Sequence, residues 1–414
     1  MNGLDILEHE GTEFLRLVNN AKWTLASLNW APRFDESNVV ELERHILTDE
    51  TFVLLRGTAT LLLGEKAERV EMVPLKYYNV RAGIWHHIVV SKDARVLVAE
   101  NANTSKDNTE YLSLRSGKVF RKYPEFEEVL PGIFLLKVPF GPVWTGIILI
   151  KGEKNILIDS SHLEPERYLI PALEGLGMKL SDIDWLLNTH VHGDHIGGHH
   201  ALVSRYGLKT ATLKGSADAL RDPVKVAVRV RTRFPKNSPP PQSCLKGVEP
   251  DFLLDEGELL EGRFYALATP GHDDDCLTWI DSRTGTAFTG DSIQGNGTPT
   301  QGIGFYRDLA AYRASLEKLC ASKLQNIVCG HDYDGIGSVV KGPSAVDKAL
   351  RYCAERVDFY DRKIREYVAE GLPVEEEPVP IALKLIGEVG CGMPEQLFLA
   401  LHTVSEHLKA NKYV

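Results

Sequence analysis

Five of the chain's 14 histidines fall between His190 and His200. The run Thr189-His-Val-His-Gly-Asp-His195 follows directly on Asp184-Trp-Leu-Leu-Asn188, an apolar stretch that reads as a strand. His190, His192, Asp194 and His195 are packed into six residues. Neither a helical nor a strand period sets all four on one face. The segment is therefore a loop wrapped around something, with Gly193 permitting the tight turn. Neutral imidazoles and a carboxylate are ligands for zinc, iron or manganese.

Three later segments repeat the pattern of a strand running into a ligand-type residue: Leu267-Ala-Thr-Pro-Gly-His272, Thr286-Ala-Phe-Thr-Gly-Asp291 and Ile327-Val-Cys-Gly-His331. Folds of the α/β class gather their sites at such strand ends. Together these residues resemble the metallo-β-lactamase superfamily of hydrolases, over residues 119–340. The resemblance implies an α/β fold, an αββα sandwich with a metal site at the sheet edge. It implies His190, His192 and His272 on one metal and Asp194, His195 and His331 on a second, with Asp291 bridging. This ligand set is similar to that of glyoxalase II, and Asp159 matches a family aspartate that buttresses the ligand loop. The implied cofactors are two zinc ions, with iron or manganese as alternatives. Two such ions about 3.5–4 Å apart lower the pKa of a bridging water, and the resulting hydroxide attacks the substrate. A small ester, thioester or lactone is the expected substrate, with Asp194 as metal ligand and candidate proton acceptor. An iron redox enzyme of the same fold and a phosphodiesterase are the alternatives.

Several nearby residues admit two readings. Asp273-Asp-Asp-Cys276 is either a support for the ligands or a solvated acidic turn. His199 and His200 open the following helix. Phe140, Trp144 and Tyr306 either line the pocket or pack elsewhere. Arg229, Arg231, Arg233 and Lys236 either meet an anionic substrate or decorate a solvated insert, the second being favoured.

Upstream, Glu50 to Gly57, Thr58 to Leu63 and Val96 to Glu100 are β-branched runs broken by turn residues, the pattern of an all-β sandwich or barrel. His45, Glu50 and Gly57 have the spacing of part of the first cupin motif, and Gly83-Ile-Trp-His86 that of the second. Residues 1–112 thus resemble a cupin-like barrel. Glu43 stands where the usual first histidine would be. The resemblance implies a further divalent metal on Glu43, His45, Glu50 and His86. A metal-free barrel used for sensing or dimerisation is the alternative. His87 points to the opposite strand face. Polar Asn101 to Asn108 marks the boundary before residues 119–340. Residues 341–414 read as a helical extension: one long helix over Val346 to Val368, then two shorter ones between Ile381 and Lys409. Such tails cover the active-site mouth or mediate dimers in relatives.

Composition narrows the partners. Basic residues number 47 and acidic ones 57, a net charge of −10. Phosphate neutralisation by Lys and Arg drives nucleic-acid binding, so nucleic acid is disfavoured. A small molecule is the expected partner and a homodimer the expected assembly. No run of 18 apolar residues predicts a membrane span. The acidic start carries no secretory pattern. Six cysteines without a C-x-x-C pair fit a reducing, cytoplasmic setting.

Overall fold

The computed structural model describes the chain outside residues 1–5, 20–21, 103, 105–108, 121–123, 163, 241–243 and 390–393. The extreme start, most of the polar stretch after Asn101, Pro241-Gln242 and Cys391 lie outside the described residues. The chain divides into two compact units, Met1–Tyr123 and Pro124–Val414.

The first unit is all-β. One antiparallel sheet runs in the order Phe14–Asn19, Trp23–Asn29, Arg95–Asn101, Glu50–Arg56, Tyr77–Val80. The other runs Val119–Phe120, Thr109–Ser113, Glu41–His45, His86–Val90, Ala59–Leu63, Glu68–Glu71. Alternation along each strand sends Leu28, Phe52, Leu54, Val96 and Val98 of the first sheet against Leu61, Ile88 and Val90 of the second. Register then decides which polar residues face one another: Glu50 lies opposite Glu100, Glu43 opposite His86, and His45 opposite Thr109.

The second unit is a sandwich of two sheets. The first has the order Phe126–Leu130, Ile133–Phe140, Val143–Ile150, Ile156–Ile158, Trp185–Leu187, Thr210–Leu213, Phe252–Leu254. The second has the order Phe264–Ala268, Leu277–Asp281, Thr286–Gly290, Asn326–Tyr333, Gly337–Lys341. Leu135, Ile148, Ile158 and Leu187 of the first meet Phe264, Trp279, Phe288 and Val328 of the second in one core. Strands such as Ile156–Ile158 are buried on both faces, so their sequence is a continuous apolar run rather than an alternating one. Gly152 to Asn155 form the hairpin turn that pairs Ile150 with Ile156. Helices Leu309–Ala321 and Pro343–Ala369 cover the outer face of the second sheet, with Leu316, Leu319, Val346 and Leu350 against Ile280, Ala287 and Ile327.

A short helix, Leu169–Gly175, carries Pro171 in its first turn, where a missing N–H is harmless. The C-terminal helices Val379–Val389 and Leu397–Ala410 share the core that includes Pro343–Ala369. No helix among the described residues is long and apolar enough to cross a membrane.

Candidate metal centre

Strand pairing assembles the centre. Ile156–Ile158 and Trp185–Leu187 run parallel, Ile158 opposite Leu187, so Asp159 and the Thr189–His195 loop emerge side by side. Thr286–Gly290 runs parallel to Asn326–Tyr333, Gly290 opposite Cys329, which brings Asp291 beside His331. Four segments from both sheets thus converge at one end of the sandwich.

Three overlapping groups of donors result: His190, His192 and His272; His190, His195 and Asp291; and Asp194, His195 and His331. His272 Nε2 lies 3.1 Å from His192 Nδ1. His331 Nε2 lies 3.2 Å from Asp194 Oδ2, and His195 Nε2 lies 3.3 Å from Asp291 Oδ1. Asp291 Oδ2 stands between the two histidine groups, 3.5 Å from His272 Nε2 and 3.6 Å from His331 Nε2. All seven residues singled out in the sequence meet here.

The back side of each ring fixes which nitrogen faces inward. His195 Nδ1 donates to Asp159 Oδ2 at 2.8 Å, and His331 Nδ1 to the Trp144 carbonyl at 2.6 Å. His272 Nδ1 donates to the Phe305 carbonyl at 3.0 Å, and His192 Nε2 to Asp273 Oδ2 at 3.0 Å. Such partners set tautomer and ring orientation in metal sites. The inward atoms are left unmatched: the buried Nε2 of His190, Nε2 of His195 and Oδ1 of Asp291 have no hydrogen-bond partner. Buried polar atoms normally find partners, so orphans aimed at one point fit a divalent cation. Burial holds His190 well below the usual histidine range and lowers His272 to about 4, so both rings are neutral at pH 7. Burial lowers His192, His195 and His331 as well, but the neighbouring carboxylates more than reverse it. Burial raises Asp194 and Asp291, but the surrounding histidines override it and keep both ionised.

Residues 138–331 match the sequence profile of the Metallo-beta-lactamase superfamily. Over those residues the chain is similar to the metallo-β-lactamase superfamily. The chain is 30% identical to a "Beta-lactamase-like protein 2 homolog" of Drosophila melanogaster over 47% of its own length and 59% of that protein's. It is 28% identical to an "Atrochrysone carboxyl ACP thioesterase" of Aspergillus fumigatus, over 53% of this chain and 44% of that one. The matched stretch therefore spans about three fifths or less of these curated relatives. A metallo-β-lactamase family protein of Thermus thermophilus shares the fold, with a TM-score of 0.53 and 19% identity over 69% of this chain and 95% of that one.

Around this centre the structure decides the open readings. The acidic turn is not solvated: Asp273 and Asp275 are buried, and only Asp274 is exposed. Asp273 binds His192, Arg229 and Arg307, which together overcome burial and keep it ionised. Asp275 accepts from the Val191 N–H at 2.8 Å, and burial beside Asp273 pushes its carboxyl up to about 7. The basic stretch is solvated only in part, at Arg229 and Lys236. Arg229 joins Asp273, Arg233 pairs with Glu406 at 3.0 Å, and Arg231 lines the cavity over the centre. Phe140 lines that cavity too, whereas Tyr306 is buried away from it, its hydroxyl 2.6 Å from His407 Nε2. Trp144 contributes its carbonyl. His199 is buried on Ser160 Oγ at 2.7 Å and joins no ligand group, and His200 lies beyond. Gln396, Phe398 and Leu399, from the start of the last helix, close the cavity.

The first unit holds a second cluster. Glu50 Oε2 lies 2.9 Å from His86 Nε2 and 3.2 Å from His45 Nε2, with Glu43 and Glu100 in reach. Glu100 was not foreseen. Its strand reads as a plain apolar run, and only the pairing opposite Glu50 reveals it. Here the donors satisfy one another. Burial pushes Glu50 up, but hydrogen bonds from both histidines bring it down to about 2. Burial lowers His86, and Glu50 more than reverses this, so the ring holds a proton between Glu50 and the Ile84 carbonyl. Among the described residues, no atom of this cluster is orphaned. His87 turns away to the Arg33 carbonyl at 3.2 Å. A cavity of about 600 Å³ opens above the cluster, bounded by Phe14, Arg16, Arg33, Phe34 and Phe52.

Proposed function

We propose that this chain is a binuclear metal-dependent hydrolase of small ester, thioester or lactone-type substrates. His190, His192 and His272 would hold one ion, Asp194, His195 and His331 the other, with Asp291 shared, in a glyoxalase II-like set. The single observation that carries the reading is the group of buried, partnerless inward atoms on His190, His195 and Asp291. Two divalent ions held there, zinc by this reading, would supply water activation at neutral pH and polarisation of the electrophilic oxygen. The chain's own residues do the rest. Asp159, Asp273 and the Trp144 and Phe305 carbonyls orient the rings, while Phe398 and Leu399 exclude bulk water from the cavity. Asp194, the more exposed of the two carboxylates, is placed to accept a proton from an incoming group. The thioesterase relative supports a thioester among the candidates.

The first unit is proposed as a cupin-like accessory module for ligand sensing or dimerisation. Its Glu43–His45–Glu50–His86 cluster takes a divalent metal only by displacing the proton that His86 and Glu50 share.

The test is metal content of the purified chain by mass spectrometry, with turnover of a panel of esters, thioesters and lactones. About two zinc ions per chain, lost in His190→Ala together with turnover, are expected. Metal-free active protein, or iron without hydrolysis, overturns the reading. A further ion that disappears in His45→Ala alone assigns metal to the first unit.

A further inference from the structure

Helix Pro223–Thr232 and the residues up to Lys236 carry five cations; Lys225 is exposed, and the fold uses the other four differently. Arg229 is committed to Asp273 and Asp274, and Arg233 to Glu406 and Ser405. Lys236 is exposed. Arg231 is uncommitted to any carboxylate and half-buried. Among the described residues no carboxylate lies within 4.0 Å of its guanidinium. One Nη1–H donates to the Pro240 carbonyl at 2.9 Å, and the group lies 5.9 Å from the Phe398 ring centre. The remaining N–H donors are unassigned in a group that carries five. Arg231 lines the same cavity as His192, Asp194, His272, Asp291 and His331.

A half-buried, unpaired guanidinium is a costly arrangement. Burial disfavours its charge, and Asp194 is the charge that offsets this. Asp194, however, is a metal ligand in the reading above, so its charge is shared with a cation. That leaves the guanidinium fork, shaped for two oxygens of one oxyanion, facing the substrate space. Phe140, Val230, Phe305 and Leu399 make the cavity wall beside it apolar.

We propose that Arg231 determines specificity by holding a carboxylate or phosphate oxyanion at the distal end of a substrate whose apolar body lies along that wall. The substrate class is then an anionic ester or thioester rather than a neutral lactone. The nature of the cleaved bond rests on the hydrolase reading, whereas the anion site rests only on the metal-binding part of it.

Titration calorimetry on zinc-loaded full-length protein tests this with hippurate, its methyl ester and phenyl phosphate. An anion should bind at least about tenfold tighter than the neutral ester, as a desolvated charge-assisted pair requires. In Arg231→Gln, which keeps an N–H for Pro240, that preference should fall to within about twofold, and Arg231→Lys should restore part of it. Lys236→Gln should leave the preference intact. Hippurate as the tighter anion assigns a carboxylate, and phenyl phosphate a phosphate. A preference that is absent in the native chain, or survives Arg231→Gln, overturns the inference. Turnover is read separately. Charge-blind binding with hydrolysis removes only the anion site. Arg231-dependent binding without any hydrolysis removes only the hydrolase reading.

Discussion

Asp159 faces no cation itself, yet three hydrogen bonds converge on it: from the Thr189 N–H, the Thr189 hydroxyl and His195 Nδ1, each at 2.8 Å. Its φ of +61°, rare for a residue with a side chain, is tolerated because those bonds over-determine it. Asp159→Asn places an amide against donors in either orientation. Metal affinity should fall about 10–100-fold, measured as zinc lost to a competing chelator, while the far-ultraviolet spectrum stays native. Gly330 is a second single-residue constraint. A Cβ there would meet His195 Cε1 at 2.6 Å and Asp291 Oδ1 at 2.7 Å. Gly330→Ala should cost about 1–3 kcal/mol of stability, seen in denaturant melts, and should lower the bound metal. At this scale the seven donors were legible, because each sits in a short local pattern at a strand's end. The supports Arg229 and Arg307 were not, because they reach Asp273 across 44 and 34 residues of sequence.

Among the elements, the last helix, Leu397–Ala410, joins stability to acidity. His402 Nε2 donates to the Val230 carbonyl at 2.8 Å, and its Nδ1 accepts from Arg233 at 3.4 Å. Only the neutral ring satisfies both. Burial and then Arg233 lower its pKa from 6.5 to about 3. Protonation is thus available to the unfolded chain below about pH 6.5 and denied to the folded one until about pH 3. Stability is fully present above that window and is lost as pH falls through it, at up to about 1.4 kcal/mol per pH unit. Thermal melts between pH 7 and 4 should show a shallower decline for His402→Gln than for the native chain. Equal slopes would exclude His402 as the source. The helix itself was expected from its periodicity. That such a tail covers the active-site mouth was expected from the resemblance alone; that Phe398 and Leu399 line the cavity was not readable, since they look like ordinary core positions.

On the scale of the whole molecule, the two units have separate cores. A cut after residue 112, suggested by the polar stretch, would sever the strand Thr109–Ser113 and remove Val119–Phe120 from the first unit's sheet. A cut at 123/124 leaves both sheets whole. Residues 1–123 and 124–414 made separately should each melt cooperatively, and the second piece should retain the two ions. Loss of metal from residues 124–414 would show that the centre needs the first unit. The all-β and α/β characters of the units were legible from strand-like and mixed patterns. Sheet order was not, because long-range register leaves no mark in a short apolar run.

The four segments that build the metal centre are spread from Thr189 to His331, and the ribosome delivers them in that order. The early histidines emerge long before His272, Asp291 and His331 exist. A cation held by donors from both sheets, as proposed, would therefore be retained only after the second sheet has closed on the first. Occupancy would then be a timestamp: a loaded chain would be one whose synthesis has passed residue 331 and whose halves have already met.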